Sequence, residues 1–399
     1  MGDGQFEYDV AVVGGCGHVG LPLGIAFATR GLNVALYDIS DQAVSVVSSG
    51  NVPFEEPGTT EALRSVLGRN LVASTSPDTI GKARNIVVVI GTPVDEHQNP
   101  EPHKVVLAIE AFLPYLREGQ ALVLRSTVYP GTTKLVEELL ARSGLAIPVA
   151  FCPERIAEGK AMVELFELPQ IISSRSPVGL KASRELFESI TTKIVVLEPE
   201  EAELAKLFTN TWRYFKFAAA NQLFMMAQNF GLSYEKIRKG LSEDYPRASD
   251  LPKSGFAAGP CLLKDTLQLA AFNNNDFALG LASVTINEGF PLYLTHRLEQ
   301  RYSIADKTVG ILGMAFKGES DDIRSSLAYK LRRILRYKAA DVIAADPYVK
   351  GDNTLATEGE VIERADIIII GAPHMRYRDI TTSKPVIDVW ALLGEESGL

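Results

Sequence analysis

The sequence predicts an α/β protein in which two Rossmann-like, doubly wound domains are joined by a central helical domain with a long helix. Three observations predict this architecture. Short apolar runs of strand length alternate with helix-compatible segments near both ends of the chain. The stretch from Glu200 to Gly231 contains no Pro, and no Gly before its end, which favours one continuous helix. The segments 86–93 and 367–373 are both aliphatic runs that end in Gly-x-Pro, as expected for two related domains.

The first predicted domain covers residues 1–197. It begins with a β-branched run, Tyr8–Val13, that enters a Gly-rich turn and is followed by a helix-like stretch from Leu21 to Arg30. Four further runs of about strand length follow, at 33–38, 85–93, 121–127 and 147–151. Continuous apolar strands of this kind indicate a parallel sheet that is buried on both faces.

The second predicted domain covers residues 198–302 and is helical. After the long helix, a second helix-rich stretch runs from Lys264 to Arg301, and a segment containing Pro and Gly, 245–261, lies between the two. This segment is predicted to be a functional loop. The second stretch is expected to break at three helix-disfavouring positions, Gly280, Gly289 and Pro291.

The third predicted domain covers residues 303–399, where strands and helices alternate again. Its strand-like runs are 307–314, 340–346 and 366–371. The run that ends at Asp346 resembles the run that ends at Asp38 in the first domain, because both are short apolar strands closed by an acid.

Composition excludes several classes of partner. The chain of 399 residues has a formal net charge of −9, so no broad attraction to nucleic acid or to an anionic membrane is expected. No apolar run approaches the ~20 residues that a membrane helix needs, and the acidic amino terminus lacks a basic start followed by an apolar run. We therefore expect a soluble cytoplasmic protein without a nucleic-acid or membrane partner.

The three cysteines lie far apart and form no CxxC pair, so neither a disulfide framework nor a metal site is expected. Cys261 follows the small residues Ala257-Ala258-Gly259-Pro260 and precedes Lys264-Asp265, which suits an accessible thiolate nucleophile beside ionisable groups. The alternative is a buried, inert cysteine, which is the usual fate of this residue type. Cys16 and Cys152 fit that alternative better.

The Gly-rich turn has the spacing of a dinucleotide-binding fingerprint. Gly15-x-Gly17-x-x-Gly20 lies between a predicted strand and a predicted helix, and Asp38 ends the next strand, at the distance expected for an acid that binds a ribose hydroxyl. The alternative is a turn that binds nothing. Because Asp38 would repel a 2′-phosphate and no Arg follows it closely, the sequence favours NAD over NADP.

The corresponding turn of the third domain, Gly313–Lys317, lacks the third glycine and is not expected to bind a second dinucleotide. Lys317 and Arg324 suit phosphate recognition, so this domain could bind a nucleotide. Charge alone favours the alternative, a solvated face within the charged run from Lys317 to Arg324.

The order of these motifs resembles that of the nucleotide-sugar 6-dehydrogenases, the family of UDP-glucose and GDP-mannose dehydrogenases. The resemblance runs from about Val10 to Asp388. Besides the fingerprint and the segment of Cys261 it rests on Gly91-Thr92-Pro93, Ser126-Thr127 with Pro130–Thr133, Pro153-Glu154-Arg155 with Glu158-Gly159, Lys206-x-x-x-Asn210, Ala315-Phe316-Lys317 and Asp321-Asp322-Ile-Arg324.

The resemblance implies an NAD-dependent, four-electron oxidation of the C6 hydroxymethyl group of a nucleotide sugar to a uronic acid. Cys261 matches the nucleophile that forms a thiohemiacetal and then a thioester. Lys206 matches a group that stabilises an oxyanion, and Asn210 matches a group that orients the sugar or stabilises the oxyanion. The two residues lie at i and i+4 of the predicted long helix. The remaining catalytic matches are Asp265 and Thr127, which bind or activate water, and the carboxylates of Glu154 and Glu158.

The resemblance also implies two sets of binding residues. It assigns the cofactor to Gly15, Gly17, His18, Val19, Gly20, Asp38, Thr92, Pro93, Ser126, Thr127, Lys264 and Arg324. It assigns the nucleotide-sugar substrate to Glu154, Arg155, Ile156, Lys206, Asn210, Arg247, Phe256, Gly259, Phe316 and Lys317. Arg247 matches an arginine that acts across a subunit interface, and together with the long apolar helix it predicts a homodimer.

The chain departs from the family pattern at two places. Ala257-Ala258 stand where the loop before the nucleophile usually carries more glycine, and Asn221-Gln222 stand where an Asn-Glu pair is common. Pro153-Glu154-Arg155 and the spacing from Arg247 to Cys261 resemble the UDP-N-acetylhexosamine branch, whereas Cys261-Leu-Leu-Lys264-Asp265 resembles the UDP-glucose and GDP-mannose enzymes. A UDP-linked hexose or N-acetylhexosamine is expected.

Two alternatives remain from the sequence. A two-electron β-hydroxyacid dehydrogenase also joins a dinucleotide domain to long helices, but it needs neither Cys261 nor a third domain. A catalytically silent nucleotide-sugar-binding protein would be favoured if the altered loop blocked hydride transfer.

Overall fold

The computed structural model describes residues 6–92, 95, 100–394 and 399. The chain divides into two compact units, 1–208 and 209–399. This division does not test the three predicted domain boundaries, which stay a prediction.

The first unit contains the predicted parallel sheet. Its strands are β1 (Tyr8–Val13), β2 (Val34–Tyr37), β3 (Leu71–Ser74), β4 (Ala83–Val88), β5 (Ala121–Leu124) and β6 (Val149–Phe151). Their spatial order is β3-β2-β1-β4-β5-β6, and every pair is parallel. This order is that of the Rossmann fold. Two short strands, β7 (Gln170–Ile172) and β8 (Ile194–Val196), form a separate parallel pair.

Helices cover both faces of the large sheet. They are α1 (Gly20–Thr29), α2 (Asp41–Ser48), α3 (Thr59–Val66), α4 (Asp78–Gly81), α5 (Pro102–Glu110), α6 (Thr132–Arg142), α7 (Ala161–Glu167) and α8 (Pro177–Glu188). Val10 and Val12 of β1 pack into one apolar core, and Ala11 and Val13 pack into a second core on the opposite face. The continuous apolar strands therefore form a sheet that is buried on both sides, as predicted.

The long predicted helix is α9 (Pro199–Asn229), and its 31 residues extend about 46 Å at the usual rise per residue. Pro199 occupies the first position, where its missing amide costs nothing, and Glu200 and Glu201 favour the positive amino end. The helix begins in the first unit and continues into the second.

The second unit continues with α10 (Tyr234–Ser242), α11 (Leu262–Phe272) and α12 (Ala278–Tyr302). The expected breaks at Gly280, Gly289 and Pro291 are wrong, because α12 runs through all three positions. The interruption lies before α12 instead, where Asn274 and Asn275 have φ values of 53° and 59°, which a right-handed helix cannot contain.

A second parallel sheet follows in this unit. It consists of β9 (Thr308–Leu312), β10 (Asp341–Ala345), β11 (Ile367–Ile370) and β12 (Val386–Ile387), in the order β10-β9-β11-β12. The helices α13 (Leu327–Leu335) and α14 (Glu358–Arg364) connect its strands. The predicted α/β class, with a parallel sheet near each end and helices between them, is confirmed. Across the described ranges, no helix is both long and apolar enough to cross a membrane.

Candidate active site

The glycines of the fingerprint leave room for a ligand at one position only. A Cβ on Gly15 would lie 2.7 Å from the Val12 carbonyl oxygen, and one on Gly20 would collide with the Gly14 carbonyl oxygen. A Cβ on Gly17 would meet only the Gly14 oxygen, at 3.7 Å. Gly15 and Gly20 therefore allow the tight turn and the packing of α1, whereas Gly17 leaves the backbone accessible, as a bound pyrophosphate requires.

Asp38 lies beside this turn at the end of β2. Its Oδ2 accepts a hydrogen bond of 3.1 Å from the Cys16 amide, and its Oδ1 accepts one of 3.1 Å from the Ser40 amide. The side chain is half-buried, so the carboxylate both fixes the turn and stays accessible to a ribose hydroxyl.

His18 stacks on Phe54 with ring centroids 4.1 Å apart, and its buried Nδ1 has no hydrogen-bond partner within the described ranges. An unsatisfied buried nitrogen beside an open glycine fits a polar ligand. The turn, Asp38 and His18 therefore fit NAD. Val19 immediately precedes α1.

The carboxyl ends of β4 and β5 are joined by Ser126. Its hydroxyl donates to the Ile90 carbonyl oxygen and accepts from the Ile90 amide, both at 2.8 Å. Thr92 and Thr127 lie on the two segments that this contact joins, and Thr127 is half-buried. Pro93, which was also assigned to the cofactor, lies outside the described residues.

Glu154 is paired with a buried arginine that sequence reasoning missed. The side chain of Arg125 is 0% exposed, and its Nε and Nη2 donate to Glu154 Oε2 at 3.1 and 2.6 Å. Nη1 donates to the Cys152 carbonyl oxygen at 3.1 Å and to Gln170 Oε1 at 3.0 Å. A charge directly after the apolar run of β5 was the available signal, because a buried charge requires a partner.

The other oxygen of Glu154 organises the next turn of the chain. Oε1 accepts from the amides of Arg155 and Ile156 at 2.7 and 2.9 Å, and the Arg155 guanidinium donates to the Pro169 carbonyl oxygen. Both oxygens of Glu154 are therefore engaged with protein groups.

The segment that carries Glu158 is held by Glu56, another residue that sequence reasoning missed. Glu56 is buried, and its two oxygens accept from the amides of Gly159 and Ala161 at 2.7 and 2.9 Å. Glu158 itself is half-buried.

The loop after Thr127 is anchored by the first turns of α9. Glu203 is buried and accepts from the Gly131 amide at 2.6 Å, the Thr133 amide at 2.8 Å and the Thr133 hydroxyl at 2.6 Å. Burial raises the pKa of Glu203, and these three donors oppose that shift. The buried Lys206 follows on the same helix.

In the second unit, Cys261 immediately precedes the first residue of α11 and is exposed. The amino end of a helix attracts negative charge, which suits a thiolate. Burial raises the pKa of both other cysteines, Cys16 and Cys152, to about 12. The accessible thiol is therefore Cys261, and the alternative of an inert buried cysteine applies to the other two.

Asn210 and Asp265 meet beside the first turn of α11. Asn210 Nδ2 donates to Asp265 Oδ2 at 2.6 Å, and the Asp265 amide donates to the Cys261 carbonyl oxygen at 2.9 Å. Asp265 is 0% exposed, and Lys264 Nζ lies 3.7 Å from its Oδ1. Residues 55 positions apart are thus joined at the nucleophile.

The loop before Cys261 is fixed by Asn221. Its Oδ1 accepts from the Gly255 amide at 2.9 Å, and its Nδ2 donates to the Gly255 carbonyl oxygen and to Asn287 Oδ1, both at 3.0 Å. Asn221 was noted only as part of a departure from the family pattern, and this contact gives it a role.

The altered loop is accommodated by packing. Ala257 is buried with Tyr214 and Leu262, so its methyl group is part of a core. Gly259 has a φ of 103°, and a Cβ there would lie 2.8 Å from the Phe316 ring. The structure thus brings two predicted substrate residues, Gly259 and Phe316, together.

The other predicted substrate and cofactor residues of this unit have different environments. Phe256 packs between Phe290 and Trp390 and is buried, which leaves its backbone as the part that could contact a ligand. Lys317 Nζ lies 5.4 Å from the Phe316 ring centroid.

Two predicted arginines are held by short-range contacts. Arg324 donates hydrogen bonds to the carboxylate of Asp322. Its Nε lies 2.9 Å from both oxygens, and its Nη2 lies 2.6 Å from Oδ2. Arg247 is exposed and donates to the Tyr245 hydroxyl at 3.0 Å.

Three domain models of one protein family match successive parts of this chain. The NAD-binding domain of the UDP-glucose/GDP-mannose dehydrogenase family matches residues 8–191, its central domain matches 200–288, and its UDP-binding domain matches 310–395. The predicted cofactor, NAD, and a UDP-binding function are thereby confirmed.

Individual proteins give the same result. A UDP-N-acetyl-D-mannosamine dehydrogenase from Pyrococcus horikoshii is 30% identical over 93% of this chain and 90% of its own length. The structure of a UDP-D-ManNAc dehydrogenase from the same organism has a TM-score of 0.88 at 28% identity, covering 96% of this chain and 95% of the other. The structure of a UDP-glucose dehydrogenase from Pyrobaculum islandicum has a TM-score of 0.89 at 26% identity, covering 98% and 96%. The chain therefore belongs to the UDP-glucose/GDP-mannose dehydrogenase family, as its motifs predict.

Proposed function

We propose that this NAD-dependent nucleotide-sugar dehydrogenase oxidises the C6 hydroxymethyl group of a UDP-linked N-acetylhexosamine to a carboxylate, through a thiohemiacetal and a thioester on Cys261. The oxidation removes four electrons, and NAD, when bound, supplies a hydride acceptor at each of its two stages. A covalent intermediate keeps the aldehyde from escaping between the stages.

The observation that carries the proposal is the exposed thiol of Cys261 at the amino end of α11. In the first stage, C6 loses a hydride and its hydroxyl loses a proton, which gives the aldehyde. The Cys261 thiolate then adds to the aldehyde carbon, so a carbon–sulfur bond forms and the carbonyl oxygen takes up a proton. Loss of a hydride from that carbon and of the hydroxyl proton gives the thioester. Water then adds to the thioester carbon, the carbon–sulfur bond breaks, and the carboxylate and the thiolate are released with two protons.

An oxyanion develops when the thiolate attacks and again when water attacks. We assign Asn210 to that charge, because Asp265 accepts one of its amide hydrogens at 2.6 Å and thereby fixes the orientation of the amide. One donor of this kind lowers a barrier by about 3 kcal/mol. We assign Lys206 to the same charge from the family motif, and Thr127, Glu154 and Glu158 to water and substrate positioning.

An N-acetylhexosamine is favoured by the relative that is 30% identical, which is named a UDP-N-acetyl-D-mannosamine dehydrogenase. It is also favoured by the Pro153-Glu154-Arg155 motif. A UDP-hexose such as UDP-glucose is the second candidate, because the similar Pyrobaculum structure is a UDP-glucose dehydrogenase.

The deciding experiment is a panel of UDP- and GDP-sugars with NAD, followed at 340 nm, with product masses determined. Two NADH per UDP-N-acetylhexosamine and a uronic acid product are expected. A limiting yield of one NADH would indicate a two-electron dehydrogenase, and binding of UDP-sugars without any NADH would indicate a silent binding protein. Either result would contradict the proposal.

Cys261→Ser isolates the nucleophile. We expect low turnover with a covalent adduct or released aldehyde, because a serine oxygen without a dedicated base attacks poorly. Cys152→Ala is the matched control, since it removes a buried thiol and keeps the backbone oxygen that Arg125 contacts. Wild-type uronic acid production by Cys261→Ser would exclude the covalent mechanism.

We also propose that the active form is a homodimer. Several large apolar side chains on the helices of the second unit, or directly after one of them, are exposed: Trp212, Leu223, Met226, Phe230, Ile237, Leu241, Leu279, Leu281 and Leu292. A second copy could cover such a surface, and the exposed Arg247 matches a family arginine that acts between subunits. Sedimentation at micromolar concentration with NAD and substrate should show a dimer, and Phe230→Lys should weaken it.

A further inference from the structure

His374 lies just after β11 and is 0% exposed. Its Nε2 lies 3.0 Å from Asp346 Oδ2, and its Nδ1 accepts a hydrogen bond of 2.9 Å from the Glu319 amide. Because Nδ1 accepts from an amide, the ring proton resides on Nε2 and is donated to Asp346. The two ring nitrogens therefore make two different bonds, one as an acceptor and one as a donor.

Asp346 connects the His374 ring to the beginning of the segment 314–319, which follows β9. Asp346 Oδ2 also accepts from the Met314 amide at 2.6 Å and the Ala315 amide at 3.0 Å. Burial opposes ionisation of Asp346, but the hydrogen bond from His374 and these amides outweigh it and hold the pKa below its usual value. An ionised carboxylate thus anchors residues 314 and 315.

Through the Glu319 amide, the ring also reaches the end of the same segment. Glu319 has a φ of 54°, an unfavourable conformation for a residue with a side chain. Its carboxylate accepts from the Met375 amide and the Tyr348 hydroxyl, both at 2.7 Å. These contacts hold a backbone conformation that would otherwise relax.

The segment cannot easily adopt another path. A Cβ on Gly318 would lie 2.5 Å from the Pro373 carbonyl oxygen, so the segment lies directly against the residue before His374. Between the two anchored ends are Phe316 and Lys317, which match substrate residues of the family.

We propose that His374 is a positioning residue that holds the segment 314–319 in the shape that binds the nucleotide of the UDP-sugar. This inference rests on the proposed function only in its use of the UDP-binding domain, and not on Cys261. The bond from the Glu319 amide to Nδ1 is the one that sets nucleotide affinity, because Asp346 keeps its contacts to backbone amides when the ring is replaced.

Two amide substitutions separate the nitrogens. His374→Asn places a carbonyl oxygen near the position of Nδ1 and keeps an acceptor for the Glu319 amide, but it loses the donor to Asp346. His374→Gln reaches Asp346 with a side-chain amide and loses the acceptor near Nδ1. Both replace a buried ring with a polar side chain, so both are expected to lower the thermal unfolding temperature.

The readout is calorimetric titration of the full-length protein with UDP, and NAD titration serves as the control. We expect His374→Gln to raise the Kd of UDP three- to tenfold, the factor that corresponds to one lost hydrogen bond, and His374→Asn to raise it less than twofold. In turnover, His374→Gln should raise KM for the UDP-sugar more than it lowers kcat. The Kd of NAD should not change in either variant.

Equal UDP affinities in the two variants would overturn the proposal, because a purely structural role predicts the same effect for both. If neither variant folds, Tyr348→Phe removes one anchor of Glu319 without changing a buried group. An unchanged Kd of UDP in Tyr348→Phe would then overturn the proposal, and a rise would support it. A yield of one NADH per sugar from wild-type protein would contradict the four-electron mechanism and leave these titrations interpretable.

Discussion

Replacing Arg125 tests the buried ion pair that joins the segments after β5 and β6. Arg125→Met leaves Glu154 as a largely buried carboxylate without its partner, and it removes two further bonds, to Cys152 and Gln170. Loss of one partner from a buried pair costs about 3–5 kcal/mol of unfolding free energy. For a unit of about 200 residues, this corresponds to a decrease of about 6–20 °C in Tm.

The second variant of this test is Glu154→Gln combined with Arg125→Met. Removing both charges should restore part of the stability, because no uncompensated charge remains, and the coupling free energy should reach about 2 kcal/mol or more. Calorimetric unfolding of the wild type, both single variants and the double variant gives this quantity directly.

The matched control is the exposed pair of Arg184 and Glu188, whose closest atoms are 3.2 Å apart. Arg184→Met should cost less than about 1 kcal/mol, because exposed ion pairs contribute little. Additive effects of Arg125→Met and Glu154→Gln, or a cost no larger than that of the control, would refute the assignment of a buried, energetically coupled pair.

Three other perturbations follow from the contacts described above. Asp38→Ala should weaken NAD binding by about 1.5–3 kcal/mol through loss of a charged hydrogen bond, and Asp38→Asn should narrow the difference between the Kd values of NAD and NADP. Asn221→Ala breaks three buried hydrogen bonds of 2.9–3.0 Å, so it should lower the free energy of unfolding by about 2–4 kcal/mol, measured with denaturant, and should also lower kcat. Gln222→Ala, at the half-buried next position, is the control and should change neither quantity much. The folded-state pKa of Asp346 is lowered, so its carboxylate stabilises the fold above roughly pH 4, and this stabilisation is lost as the pH falls below that value. Asp346→Asn should therefore make the free energy of unfolding fall less steeply in that range.

The strands and helices that carry local patterns could be predicted from the sequence. The run before the fingerprint and the long helix from Pro199 are continuous enough to read without tertiary information. The strand Leu71–Ser74 was not predicted, because its apolar run, Leu71-Val72-Ala73, is only three residues long and only its first residue is buried. The helix through Pro291 was predicted to break, because local propensity cannot account for the packing that supports a helix.

In the candidate site, the residues with a motif were predicted, but the residues that hold them were not. Cys261 and Gly17 belong to short patterns with a chemical meaning. Arg125, Glu203 and Asn221 act over sequence separations of 29, 70 and 34 residues, so no local pattern identifies the groups that they contact. Their partners are defined only once the chain has folded.

The strands that end at Asp38 and Asp346 have the same position in their sheets, but the two acids have different roles. Asp38 is half-buried and accepts two hydrogen bonds from backbone amides, both at 3.1 Å. Its carboxylate can therefore still accept a hydrogen bond from a ribose hydroxyl. Asp346 occupies the matching position in the second sheet, but its oxygens are already shared among His374 and four backbone amides. In the second sheet, the acid at this position therefore holds the fold together and is not available to bind a ribose. Each chain should therefore bind one NAD, and a titration should saturate at that stoichiometry.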